Sequence, residues 1–304
     1  TLLGPFRRAR LKRLARAGEA PASVLFYHRV ADHTPNSWTI SHAAFERHVD
    51  YCCEHMELVD LSWIQERVPG SGSAMPPVSF TFDDGYADNC DFAIPLLIER
   101  GIPCTYFVTT THIRQQIPFP HDADRPLPVN TIAQLREMSQ SGIEIGCHTR
   151  SHVDFGKPLT SDQIRHEIID AKDELEQMIG KEVRYFAFPF GMPAQLTTDA
   201  ISVVRQAGFK GFCSAYGSYN LPNQDSFHIR RCHGDPEFAR FLNWLSFDRS
   251  KLRGETTIAY PNALPQEPVD EPRSTSDPVV PQVADSTFVA PVISDIVSAR
   301  ESCG

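Results

Sequence analysis

Long apolar runs are missing from this 304-residue chain. No window offers the roughly 18–20 uninterrupted apolar residues of a membrane-spanning helix, and no basic segment, apolar core and cleavage site open the chain as in a signal peptide. We therefore expect a cytoplasmic protein. Because residue 1 is Thr rather than Met, an upstream segment could have been removed, and export stays open as an alternative.

Paired cysteines and an excess of positive charge are lacking as well. The eight cysteines form no CxxC pair, and several lie in apolar runs such as "PCTYFV" and "KGFCSA". This pattern favours buried free thiols over disulfides or a cysteine-based zinc site. The formal net charge of −9 argues against a nucleic-acid partner, while a hydrophobic content of 41% is typical of a globular protein.

Both ends differ from the centre in composition. Residues 1–20 form a basic segment, with six Lys and Arg residues and no acid between Leu2 and Arg16. Its apolar spacing predicts a helix that either contacts a membrane surface or is simply solvated. Residues 254–304 are rich in Pro, Ser, Asp and Glu without any period, which predicts a disordered acidic tail. Residues 21–253 between them are the predicted folded domain.

Strand-like and helix-like runs alternate through that domain. The strand-like runs are "SVLFYH", "PVSFTF", "PCTYFV", "GIEIGCH", "VRYFAFPF", "KGFCSA" and "FHIRRC". Helical patterns follow most of them; Ser41 and Thr131 are good N-caps, and Pro95 predicts a kink or break in one helix. Such alternation predicts a parallel α/β sheet or barrel with helices outside. Chemistry then collects at the carboxyl ends of the strands.

Two of these strand ends carry residues that can bind a metal. Asp83 and Asp84 follow "VSFTF", and His148 and His152 follow "IEIG". Either motif alone is weak, since "DDG" is often a turn and two histidines four apart occur on many helices. Together they offer a carboxylate and two imidazoles, a common set of ligands for catalytic Zn²⁺ that also suits other divalent ions. Successive side chains point in different directions, so one aspartate can bind the ion while the other takes a proton from water.

The motifs resemble those of a known family. "TFDDG" and "HTRSH" are similar to the first two motifs of the polysaccharide deacetylases, the NodB-homology domain of carbohydrate esterase family 4, and "FAFPFG" is similar to the third. "VLFYHRV" resembles the first strand of the branch that includes biofilm-polysaccharide deacetylases. The resemblance spans roughly Val24 to Leu245 and implies an α/β fold, a distorted (β/α) barrel with a single catalytic domain.

The family resemblance also implies roles for individual residues. Its metal ligands would be Asp84, His148 and His152. Asp83 would be the general base, and the Phe190 backbone N–H would stabilise the oxyanion, in a substrate-binding loop shaped by Pro189 and Gly191.

Two expected groups have no direct match. The arginine that orients the base in the family is replaced by Ala187, and we expect Arg231 to substitute, with Arg184 and Arg230 as further candidates and a surface position as the alternative. For the histidine that protonates the leaving amine we favour His233. His28, at the end of the first strand, is assigned to substrate binding, or else to the core.

The resemblance therefore implies a metal-dependent hydrolase that removes N-acetyl groups from an amino-sugar polysaccharide or oligosaccharide. Zn²⁺ is the first choice of cofactor, with Co²⁺, Mn²⁺, Ni²⁺ and Fe²⁺ open. A carbohydrate-binding barrel without turnover is the alternative, because the base-orienting arginine is missing at Ala187 and the acid has no clean match. The expected partner is an acetylated glycan, with a peripheral membrane contact through the basic N-terminus as a further option. We expect the loop Thr110–Asn130 to lie over the substrate groove.

Overall fold

Parallel strands dominate the computed structural model of the protein, which describes residues 4–67, 70–217, 219–222, 224–253 and 256–260. The strands are β1 (Ser23–Tyr27), β2 (Arg29–Val30), β3 (Thr39–Ile40), β4 (Glu57–Leu58), β5 (Pro77–Phe82), β6 (Cys104–Val108), β7 (Glu144–Cys147), β8 (Tyr185–Ala187), β9 (Gly211–Cys213), β10 (His228–Ile229) and β11 (Cys232–His233). The main sheet has the order β10-β9-β8-β7-β6-β5-β1-β11, with β4 also beside β5, and β2 pairs separately with β3.

Helices follow most of the strands. They are α1 (Gly4–Arg16), α2 (His42–His55), α3 (Leu61–Glu66), α4 (Ala93–Glu99), α5 (Thr110–Gln115), α6 (Ile132–Gln140), α7 (Ser161–Arg165), α8 (Ala171–Ile179), α9 (Thr198–Gln206) and α10 (Phe238–Leu245). A π-helical turn, His166–Asp170, joins α7 to α8. The Ser41 and Thr131 side chains accept hydrogen bonds from the first turns of α2 and α6, as their sequence positions predict.

The sheet is buried on both faces, which explains the continuous apolar runs of its strands. Val24, Phe107 and Ala187 belong to an inner cluster together with Leu61 and Ile64 of α3. Their neighbours in the strands alternate to the opposite face and join a larger cluster with α2, α4, α6, α8, α9 and α10.

The two edges of the sheet are joined by a very short piece of chain. β10 and β11 lie at opposite ends of the strand order, yet only Arg230 and Arg231 separate them in sequence. The sheet must therefore curl until its edges nearly meet, and the predicted distorted (β/α) barrel is confirmed. Asn220 fastens this seam, because its side chain bonds the backbone N–H and C=O of Arg230.

Arg231 fills the seam from within. Its guanidinium is fully buried and lies 5.1 Å from the ring centre of Phe26 and 5.5 Å from that of Phe107. Its Nε donates to the Ser214 backbone oxygen, after β9, at 2.8 Å. Its two Nη atoms donate to the Asp83 carboxylate, after β5, at 2.7 and 2.8 Å. One side chain thus links the seam of the barrel to the ends of β9 and β5.

Some local features differ from the sequence expectations. The predicted break in the helix around Pro95 is present but lies before the proline: a 3-10 turn, Ala87–Cys90, precedes α4, where Pro95 is the third residue and needs no N–H partner. The six-residue helices α3 and α5 were not predicted, because they are too short to show a helical period.

The chain ends are described only in part. In α1, Leu11 and Ala15 are buried against the domain while Phe6 is 76% exposed, so the apolar residues of this helix do not form one exposed face. No helix among the described residues is long and apolar enough to span a membrane. Residues 1–264 form one compact unit, to whose core Ile258 and Tyr260 add contacts. The predicted tail lies outside the described residues except for residues 256–260. The cysteines within the described ranges are free; Cys303 lies outside them.

We expect the buried ion pair to govern stability. Replacing Arg231 with Met leaves the Asp83 carboxylate buried without its cation, and such a loss costs about 3–5 kcal/mol of unfolding free energy. Urea titration of Arg231→Met, Asp83→Asn and the double variant measures the coupling between the two side chains. The double variant should recover part of the loss. Additive effects of the two substitutions would contradict a stabilising pair.

Candidate active site

Asp83 and Arg231 form the deepest part of a cluster at the carboxyl end of β5. Asp83 is 3% exposed, and both of its carboxylate oxygens accept from Arg231. Burial opposes ionisation, but the Arg231 guanidinium, together with the nearby imidazoles of His148 and His28, holds the pKa of the Asp83 carboxyl below its usual range. Arg231 also donates to the Thr81 hydroxyl at 3.1 Å. The carboxylate therefore has a fixed orientation and a stable charge.

The next two residues turn the chain sharply. Asp84 has φ 74° and Gly85 has φ 91°, so both lie in the left-handed region that favours glycine. A Cβ on Gly85 would meet Val108 at 3.0 Å and Ile113 at 3.3 Å. Glycine is needed here for both conformation and space. Because of this turn, the side chains of the adjacent residues Asp83 and Asp84 take different directions.

Asp84 meets the two histidines of "HTRSH". The Asp84 Oδ1 atom lies 3.5 Å from His148 Nε2 and 3.3 Å from His152 Nε2, and one ligand atom from each of the three residues lies within 4.8 Å of the others. Burial opposes ionisation of Asp84, but the two histidines hold the pKa of its carboxyl well below the usual range. His148 Nδ1 is 2.7 Å from the Ala187 carbonyl, which can only accept, so Nδ1 carries a proton, and the neutral imidazole would present its Nε2 lone pair to a metal.

These three residues fit a divalent metal ion. Asp84 Oδ1 is buried without a hydrogen-bond partner, an unfavourable state that a cation would relieve. Ligands at about 2.0–2.1 Å from a tetrahedral Zn²⁺ stand about 3.3–3.4 Å apart, and the two separations from Oδ1 agree with this value. The donor set of one carboxylate and two imidazoles also leaves coordination positions for water or substrate.

Left-handed backbone recurs around the cluster. Thr149 has φ 68° and His152 has φ 59°, although neither is glycine, and the His152 N–H donates to the Thr149 hydroxyl at 2.9 Å. Residues held in this region cost roughly 1–3 kcal/mol each and persist where their surroundings fix them. The loop from His148 to His152, called the histidine loop below, is thus held in a conformation that it would not adopt alone.

The loop after β8 forms an exposed wall. Phe190 is 55% exposed, has φ 61°, and its ring centre is 5.2 Å from that of His152. Gly191 bonds the Pro189 carbonyl through its N–H, and a Cβ on Gly191 would lie 2.3 Å from the Ala215 nitrogen. This tight turn presents Phe190 beside the predicted metal ligands.

Histidines at the carboxyl ends of the paired strands β1 and β11 both lie against Trp38. His28 lies with its ring centre 4.5 Å from that of Trp38, and His233 lies 5.2 Å from Phe26 and 6.1 Å from Trp38. Burial lowers the pKa of His28 to about 4 while Asp84 and Asp83 oppose it. Burial also lowers the pKa of His233, but there the opposing charge is Asp235. His28 is therefore coupled to the paired aspartates, whereas His233 is coupled to a residue outside them.

The loop Thr110–Asn130 lies beside the histidines. Phe119 stacks on His112 at 4.1 Å and meets the edge of His152 at 5.4 Å. His121 Nε2 is 2.9 Å from the Tyr86 hydroxyl, and next to it a groove of about 260 Å³ is lined by residues including Asn36 and Arg125. The expected place of this loop at the rim is thus consistent with its contacts.

Most of the site residues proposed from sequence come together, and some neighbours escaped prediction. Of the proposed site residues, Arg184 does not join the others, because its guanidinium pairs with Glu144 at 2.8 Å. The residues missed were Trp38, Phe119 and the Ala187 carbonyl. None follows a strand end as a polar motif, so the sequence offered no signal for them.

Comparison with known proteins supports the family resemblance that the sequence motifs suggest. Residues 72–212 match the family model described as polysaccharide deacetylase. YxkH of Bacillus subtilis is 28% identical over 190 residues, which cover 60% of this chain and 62% of YxkH. The chitooligosaccharide deacetylase of Sinorhizobium fredii is 29% identical over 139 residues, 44% of this chain and 56% of that protein. The chain thus spans less than two thirds of these relatives.

A solved structure supports the fold. IcaB from Ammonifex degensii superposes with a TM-score of 0.63 at 22% identity, over 75% of this chain and 97% of that one. Its likeness extends the match beyond residues 72–212, to which the family model is confined. Sequence match, strand order and the three motifs agree that this chain is similar to the polysaccharide deacetylases over residues 72–212.

Proposed function

We propose that this protein is a metal-dependent hydrolase that removes N-acetyl groups from an amino-sugar polysaccharide or oligosaccharide. The observation that carries the proposal is the placement of the Arg231-bound Asp83 carboxylate directly beside the Asp84, His148 and His152 cluster. A hydrolase of this type needs a base and a Lewis acid at adjacent positions. The relative from Sinorhizobium fredii, which is named for chitooligosaccharides, supports the substrate class.

Three side chains would hold the ion, with Asp84 Oδ1 and the Nε2 atoms of His148 and His152 as donors. When bound, a divalent cation supplies Lewis acidity, polarising an amide carbonyl and acidifying water. Zn²⁺ suits the donor set best, and Co²⁺, Mn²⁺, Ni²⁺ and Fe²⁺ are compatible with it.

The remaining residues move protons and stabilise charge. Asp83 accepts the proton of the attacking water, and Arg231 keeps this carboxylate ionised and aimed. The Phe190 N–H donates to the oxyanion that forms on the former carbonyl; among the described residues this N–H has no backbone acceptor. The C–N bond then breaks, the amine takes a proton, and acetate and a free amino sugar result.

The binding-only alternative rested on the alanine at position 187 and on the lack of a clean match for the acid. Arg231 makes the contact with Asp83 that such an arginine would make. This contact removes the first reason for expecting an inactive barrel, and we do not propose it.

Two adjacent substitutions should separate metal binding from turnover. Asp84→Ala removes a proposed metal ligand. Losing a residue that only hydrogen-bonds a ligand typically lowers metal affinity about 10–100-fold, and we expect the Zn²⁺ affinity of Asp84→Ala to fall further than that. Asp83→Asn should keep the affinity while acetate release from N-acetylglucosamine oligomers falls about 10²–10⁴-fold, because the base is lost. Calorimetric titration of apoprotein and an acetate assay measure the two quantities. Full turnover in Asp83→Asn would refute its role.

We propose that the proton donor to the amine is one of the two histidines that contact Trp38, namely His28 or His233. His233 is our first candidate from its place at the end of the last strand, β11, and His28, which follows β1, is the alternative. We expect His233→Gln to lower kcat by about 10²-fold or more and His28→Gln to lower it less. Comparing kcat at saturating substrate separates the donor from a residue that only binds. The reverse order would assign the role to His28.

We also propose a peripheral contact with anionic membranes through α1. Its exposed basic residues are Arg8, Arg10, Lys12, Arg13 and Arg16, and each basic side chain near such a surface contributes about 1 kcal/mol. The full chain should float with vesicles containing phosphatidylglycerol but not with pure phosphatidylcholine, and high salt should release it. The variant Arg8→Glu/Lys12→Glu should lose flotation. Equal flotation with both lipids would contradict this proposal.

A further inference from the structure

The histidine loop is hydrogen-bonded to a buried carboxylate that lies outside the two motifs at the ends of β5 and β7. Glu167 is 8% exposed and lies in the π-helical turn between α7 and α8. Its Oε2 accepts from the backbone N–H groups of Arg150 and Ser151 at 3.1 and 2.8 Å, and its Oε1 accepts from the Ser151 hydroxyl at 2.6 Å. All three donors lie between the predicted ligands His148 and His152.

Most of the hydrogen bonds that Glu167 accepts come from the backbone of the histidine loop. The Glu167 carbonyl also accepts from the Arg150 N–H at 3.1 Å. The Arg150 guanidinium turns elsewhere, to Glu174 at 3.1 Å. Glu167 is thus balanced by peptide and hydroxyl donors, and a buried carboxylate needs such donors to remain favourable.

The loop needs support because of its conformation. Thr149 and His152 both have left-handed backbone, and the residues between them carry the N–H groups that Glu167 holds. The loop carbonyls are fixed from the other side, since the N–H groups of Thr110 and Thr111 donate to the oxygens of Thr149 and Arg150. A π-helical turn is rare and often lies at functional positions, and here it carries the carboxylate that meets the loop.

We propose that Glu167 is a positioning residue for the metal centre: its carboxylate holds the Thr149–His152 backbone so that His152 faces Asp84 and His148. The inference rests on the proposed function, because it concerns the metal that those three residues would bind. It assigns the role to the hydrogen-bond geometry of the carboxylate and not to its charge.

Two substitutions of Glu167 distinguish geometry from charge. Gln keeps the length, an oxygen for the two N–H groups and an NH₂ for the Ser151 hydroxyl, so Co²⁺ affinity should stay within about 3-fold of wild type. Asp keeps the charge but withdraws the carboxylate by one methylene, so Co²⁺ affinity should fall about 10–100-fold. Calorimetric titration of folded apoprotein measures both, and the visible Co²⁺ spectrum reports the coordination. Glu176→Asp is the matched control, since Glu176 bonds Lys172 and the Val183 N–H.

The outcomes are distinct. Loss in Glu167→Asp with retention in Glu167→Gln and in the control supports the inference. Loss in Gln with retention in Asp would overturn it in favour of charge, and wild-type affinity in both variants would overturn it altogether. A lower Tm of the Glu167→Asp apoprotein with unchanged Co²⁺ affinity would reveal a purely structural role and also overturn it. Failure of the wild-type protein to bind Co²⁺ or Zn²⁺ would instead refute the proposed function.

Discussion

The ion pair between Arg231 and Asp83 is the contact on which the rest of the structure depends. Both side chains are almost wholly removed from water, and such a pair is favourable only when geometry is good and the remaining donors are satisfied. Here the pairing is bidentate, and Ser214 and Thr81 take further N–H groups. The same contact spans the seam of the barrel, orients the proposed base and keeps it charged, so folding and chemistry rely on one arrangement.

Strain at the site has to be compensated by its surroundings. Asp84, Thr149, His152 and Phe190 all have positive φ, and each belongs to one of the three motif loops. Left-handed conformations of this kind are concentrated where function requires them and are stabilised by neighbouring contacts. In this protein the supports are tight turns after β5 and β8 and hydrogen bonds beneath the histidine loop. Each support lies on a different element, so the site is assembled only when the barrel is closed.

The sequence allowed the fold and most of the cluster to be predicted, because strand ends are local signals. Asp83, Asp84, His148 and His152 each follow an apolar run, and parallel strands bring such ends to one rim. Arg231 was predicted as part of the run "FHIRRCHGD", although its contact with Asp83 joins residues 148 positions apart. Glu167 and Trp38 could not be found in this way, since a helix residue or loop aromatic acquires its role only through long-range packing. Short helices such as α3 were missed for want of a period.

Charge balance explains why this collection of residues suits the proposed reaction. Asp83 and Asp84 together carry two negative charges and Arg231 one positive charge, so with neutral histidines the cluster is left with a net negative charge. A divalent cation would reverse that sign, and a net positive cluster would stabilise the oxyanion of the proposed amide hydrolysis. Arg231 cannot supply this by itself, because its guanidinium is paired with Asp83. In the proposed mechanism the arginine therefore prepares the base, and the stabilisation of the oxyanion is left to the ion site and the Phe190 N–H.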